Sequence, residues 1–89
     1  MRQHSATVDR MTNKQKYDRI FITQFSLDED TLKGDPEYNK VDAWDSIGHM
    51  GLIAEIEETF DIVLDGDDII EFGSYTKGFM ILAKYAIEL

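Results

Sequence analysis

The chain contains no cysteine. Its fold therefore cannot rest on disulfides or cysteine-ligated zinc, and no thiol of its own can act as a nucleophile. Proline occurs once, at Pro36, and no apolar run approaches the length that spans a bilayer. Residues Met1 to Arg10 are polar and lack the apolar stretch of a signal peptide, so the expected location is the cytoplasm, with no membrane partner. Internal repeats, low-complexity segments and strand-like alternation of useful length are missing as well.

Basic residues are absent from one long stretch. Val41 to Gly73 holds ten Asp or Glu and neither Lys nor Arg, within a chain of net charge −9. Positive charge gathers at the front, where Arg2, Arg10, Lys14, Lys16 and Arg19 face only Asp9 and Asp18 before Gln24. Such a surface repels phosphates, which argues against nucleic acid, and it attracts basic patches on other proteins. Solubility alone is the plainer reading of the acidity, but it does not require that every cation be missing from so long a stretch.

What is present suits a small helical protein. Eighty-nine residues allow one domain, with a core too small for a deep enclosed active site. The expectation is a tail at 1–10 and one domain at 11–89. Tyr17, Ile20, Phe21 and Phe25 recur at helical spacing and predict a first helix over Met11–Phe25. Ser26–Ala43, with Gly34, Pro36 and scattered acids, reads as a long ordered loop pinned by Leu32, Tyr38 and Val41.

A second helix is predicted over Ser46–Phe60, about 22 Å long at 1.5 Å per residue. Leu52, Ile53, Ile56 and Phe60 form its core stripe, while Ile47, Met50 and Ala54 fall on another side beside Glu57 and Glu58. That second set is core, or a docking surface with Met50 as its most adaptable contact. Asp61–Gly66 turns the chain and returns Ile62 or Leu64 inward. Asp67–Phe72 reads as a short third helix. Ser74 caps a last helix reaching about Glu88, with Tyr75, Phe79, Leu82, Ala83 and Ala86 inward. The predicted class is all-α, a four-helix bundle with a long first loop and a short third helix.

Trp44-Asp45-Ser46-Ile47 places a hydroxyl at the start of the acidic second helix. Ser46 there can be a plain N-cap. Asp45 is a solvated turn residue or a recognition charge. Trp44 covers the loop–helix junction or touches partners. His49, one turn on, reads as an exposed polar residue, because no third group, oxyanion pocket or Gly-x-Ser-x-Gly elbow accompanies it as a base. No catalytic residue is assigned. Asp61, Asp65 and Gly66 fit three positions of a calcium loop, but Val63 and Phe72 break the liganding pattern, and no metal site is expected.

The run DSIGHMGLIAEIEETF from Asp45 to Phe60, continued through Leu64, Asp68-Ile69, Phe72 and Ser74, resembles an acyl carrier protein. The match extends from Tyr38 to the C-terminus. In that family the serine of an Asp-Ser-Leu or Asp-Ser-Ile motif receives 4′-phosphopantetheine from coenzyme A, and the thiol of the arm holds cargo as a thioester. The resemblance implies Ser46 as the attachment point, with Asp45 beside it. On the carrier reading the docking face of the second helix, Ile47, Met50, Ala54, Glu57 and Glu58, is the expected partner surface, with Trp44 added where it touches partners. The implied partners are a phosphopantetheinyl transferase, a loading ligase or acyltransferase, and later enzymes with basic docking surfaces. The chain itself is expected to be a monomer and not an enzyme.

Departures from the family narrow the expectation. Carriers of fatty-acid synthesis often place acids two and five residues after the serine, where this chain has Gly48 and Gly51; each glycine weakens a helix by roughly 1 kcal/mol unless packing compensates. Peptidyl carriers typically show Gly-Gly before Asp-Ser, where this chain has Ala43-Trp44. A free-standing carrier of a dedicated pathway fits best, moving a short acyl, aminoacyl or hydroxyacyl group. The competing expectation is a small acidic helical adaptor that binds a basic partner and is never modified.

Overall fold

Thr12 opens the first helix with a reciprocal cap: its hydroxyl accepts the Gln15 N–H at 3.1 Å, and the Gln15 side chain accepts the Thr12 N–H at 2.9 Å. A computed structural model describes residues 11–89, and among them the chain forms five α-helices and no strand. It is all-α; the expected tail at 1–10 lies outside the described residues. Helix α1, Asn13–Phe25, starts two residues later than expected and buries the predicted Tyr17, Ile20, Phe21 and Phe25.

The segment expected to be loop contains a helix. In α2, Glu29–Lys33, the Asp28 carboxylate accepts the Thr31 N–H at 2.9 Å, acids occupy the first turn, Lys33 the last, and Leu32 is buried. Cap, dipole-matched charges and one apolar anchor suffice for a single turn. Beyond Gly34 the chain is tied to the start of the last helix. Tyr38 N–H donates to Gly73 O, Tyr75 N–H to Pro36 O, and Thr76 N–H to the Asp35 carboxylate at 2.9 Å.

Helix α3 spans Ser46–Phe60, as the sequence predicts. Leu52, Ile53 and Ile56 are buried, while Phe60 packs half-buried at the edge of the core. The following turn sends Leu64 fully inward and Ile62 partly so. Helix α4, Gly66–Glu71, is one short element. Helix α5, Tyr75–Ala83, is capped by Ser74, whose hydroxyl accepts the Lys77 N–H at 3.0 Å.

The last helix stops well before Glu88. Ala86 takes a left-handed φ of 65°, and Ile87 N–H donates to Leu82 O at 3.0 Å, so the chain folds back and packs Ile87 and Leu89 against the core. Ala83 and Ala86 are exposed, against expectation; the expected Tyr75 and Leu82 are buried together with Gly78 and Ile81, and Phe79 packs half-buried on Tyr17 and Tyr75. Gly78 has a steric reason. A Cβ there would stand 2.0 Å from the Tyr17 hydroxyl and 2.5 Å from Phe72. That space lets the Tyr17 hydroxyl donate to Tyr75 O at 2.6 Å, and burial raises the Tyr17 phenol far above its ordinary value, keeping it a neutral donor.

Aromatic rings fill the middle of the molecule. Phe21 meets Tyr17, Phe25, Trp44 and Tyr75 at centroid distances of 4.9 to 5.8 Å. Tyr75 also donates its hydroxyl to Asp18, which accepts from Lys14 at 2.9 Å, linking α1 to α5 at the rim. Among the described residues, no helix is long and apolar enough to cross a membrane.

Candidate functional site

Asp45, not Ser46, caps α3. Its backbone is extended and its carboxylate accepts the Gly48 N–H at 2.8 Å. Ser46 is the first helical residue, exposed, and relieved of the capping role the sequence offered it. The positive end of the helix dipole lies at this point, which favours a phosphate attached there.

The residues before Ser46 are held from beneath. Trp44 is fully buried, stacked on Phe25 at 5.0 Å and 19° and edge-on to Phe21 at 5.4 Å. This corrects its expected place among the partner-facing residues: an indole with no exposed surface anchors the junction instead. Trp44 N–H donates to Val41 O and Asn39 N–H to Trp44 O, closing the approach to Asp45 as a turn. Gly48 completes the fit. A Cβ at that position would lie 1.9 Å from Ala43 O, so only glycine lets the loop lie this close to α3.

His49 is half-buried and engaged on both ring nitrogens, in contrast to the exposed polar residue expected. The Trp44 indole N–H donates to Nδ1 at 2.9 Å, and Nε2 lies 2.8 Å from Ile69 O. Because Nδ1 accepts, the neutral ring carries its proton on Nε2 and donates to that carbonyl. Neither nitrogen is free to take a proton from Ser46. His49 thus braces the loop and α4 against α3, a role no spacing rule exposes.

The outward side of α3 carries the apolar residues singled out beside the acids. Ile47 is 83% exposed, Met50 is 57% exposed, and Ala54 and Glu58 are exposed. Glu57 differs from expectation. Half-buried, it turns its carboxylate onto the Leu64 N–H at 2.9 Å, so it braces the turn after α3 and is not a free surface charge. Ile70 on α4 is 81% exposed as well, an apolar exposure the sequence reading missed.

Asp68 was missed too, because an acid in a short helix reads as surface. It is 5% exposed, accepting from Lys84 Nζ at 2.5 Å and from the Tyr85 hydroxyl at 2.6 Å. The Lys84 bond first, then the Tyr85 bond, holds its carboxyl below the usual carboxylate range. The same Tyr85 oxygen accepts the Asp65 N–H at 2.9 Å. Among the described residues, Asp68 is the one acid of Val41–Gly73 with a lysine in salt-bridge range.

Comparison with family models, with curated proteins and with solved structures finds no match to this chain.

Proposed function

We propose that the chain is a free-standing carrier protein that bears 4′-phosphopantetheine on Ser46 and works in the cytoplasm as a monomer. On this reading α1, α3, α4 and α5 are the four helices of a carrier bundle, with α2 set into its long loop. The observation that carries it is the presentation of Ser46: an exposed hydroxyl in the first turn of a long helix, directly after a junction immobilised by Trp44 and capped by Asp45.

The residues suit the arm. Ser46 offers an oxygen that capping does not use, the helix start favours phosphate, and the Asp45 carboxylate is already turned onto Gly48 N–H. When bound, the arm supplies the thiol the chain lacks and holds an acyl or aminoacyl cargo as a thioester. The chain's own part is to fix the tether's origin and to offer Ile47, Met50, Ala54 and Glu58, within an acidic field, to basic surfaces of the transferase, the loading ligase or acyltransferase, and later enzymes. A tethered cargo meets a docked enzyme at high local concentration.

The same exposed apolar and acidic face also fits an unmodified adaptor for a basic partner. Intact mass of the chain co-expressed with a promiscuous phosphopantetheinyl transferase separates the two. A gain of one arm supports the carrier; an unchanged mass with several transferases favours the adaptor.

A further inference from the structure

A row of rings closes the Ser46 end of the core. Phe25 on α1 stacks on Trp44 at 5.0 Å, Trp44 lies nearly parallel to His49 at 6.2 Å, and His49 meets the Phe72 ring edge-on at 6.4 Å. Two hydrogen bonds lock the row, from the Trp44 indole to His49 and from His49 to Ile69 O on α4. Tyr38 covers the outer side of His49 at 5.5 Å. Trp44 and Phe72 have no exposed surface.

An alkyl chain entering beside Ser46, between α3 and α4, would have to part His49 from Ile69 and displace an indole from a close-packed interior. Both bonds would then be lost, and the N–H of the fully buried Trp44 indole would be left without a partner. We propose, resting on the carrier reading, that Trp44 and His49 bar cargo from the helical interior. The acyl group carried at Ser46 stays in solvent, and it is a short or polar one. A long alkyl chain held outside would be exposed apolar surface that promotes association, whereas a short, amino- or hydroxy-bearing acyl group has little such surface to hide.

The absence of cysteine makes a direct test available. Ser46→Cys provides a single thiol, to which an octyl group can be tied through a linker as long as the pantetheine arm. The same linker ending in a hydroxyl is the blank. The expected result is an identical melting midpoint for octyl and blank forms, and an unshifted NMR resonance of the Trp44 indole N–H. A higher midpoint with a shifted indole resonance in the octyl form would overturn the proposal.

Trp44→Leu in the same background shortens the barrier, and there the octyl form should melt higher than its blank. If it does not, Trp44 is not the barrier and the proposal falls. With the enzymically installed arm, an octanoyl thioester should react with hydroxylamine as fast as free octanoyl-pantetheine, and protection by the folded chain would contradict the proposal. Failure of a transferase to modify Ser46 would count against the carrier reading alone, because the chemically tied chain still reports on closure.

Discussion

The rings of Trp44 and His49 lie 16° from parallel, and the indole N–H donates to the imidazole Nδ1 at 2.9 Å. This pair joins the end of the loop to the second turn of α3. It sets where Ser46 stands, because Ser46 lies between the two residues in sequence and leaves the surface from the turn they enclose.

Breaking the pair should loosen the whole junction. Trp44→Phe removes the donor and leaves His49 Nδ1 without its partner, at a cost of about 1–3 kcal/mol. Trp44→Ala adds a cavity and should cost roughly 3–5 kcal/mol, a large share of the stability of a small domain. Urea unfolding followed by far-ultraviolet circular dichroism measures both. Near-wild-type midpoints would show that the indole is not the anchor.

The cap and the attachment point should separate under mutation. Asp45→Ala loses the bond to Gly48 N–H and should cost about 1 kcal/mol. Ser46→Ala alters an exposed first-turn residue and should leave the stability within about 0.5 kcal/mol of wild type. A reversed ranking in thermal melts would mean that Ser46 caps the helix after all.

Acid should act through Asp68. Lys84 and Tyr85 lower its carboxyl below the ordinary range in the folded state, so the folded chain binds fewer protons there than the unfolded chain. The stabilisation is complete above the ordinary carboxylate range and is lost as pH falls through the folded value. Asp68→Asn should therefore be less stable than wild type near neutrality and show a flatter dependence on acid, read from urea midpoints across the acidic range. Parallel profiles for the two proteins would rule this out.

Charge on the outward face of α3 should govern encounter. Glu58→Lys should slow arm transfer at low salt with little change in stability, and added salt should slow the wild type by screening over about 8 Å at physiological ionic strength. Glu57→Lys is a poorer probe, since it also breaks the bond to Leu64 N–H. Equal transfer rates for wild type and Glu58→Lys at both salt levels would reduce the acidic face to a solvated surface.

The sequence made α3 legible to the residue, because its apolar stripe, its acidic flank and the Asp-Ser start all agree on one helix. The aromatic face of α1 was equally plain. Local signals failed where distant partners decide the outcome. Asp68 is buried because Lys84 and Tyr85, far along the chain, reach back to it, and Glu57 turns inward because the next loop presents an N–H. Helix α2 is a single turn, too short for periodicity to stand out from a loop. Trp44 reads as a surface or junction residue from spacing alone, and only its stacking on Phe25 and Phe21 reveals a core position.

The most direct test of the account is the site of modification. Purified chain and Ser46→Ala are each incubated with coenzyme A and a promiscuous phosphopantetheinyl transferase, then digested and sequenced by tandem mass spectrometry. The account predicts one arm per wild-type chain, on Ser46, and none on the variant, whose circular dichroism stays that of the wild type. An arm on another residue, an arm on Ser46→Ala, or an unmodified wild-type chain across several transferases would contradict it.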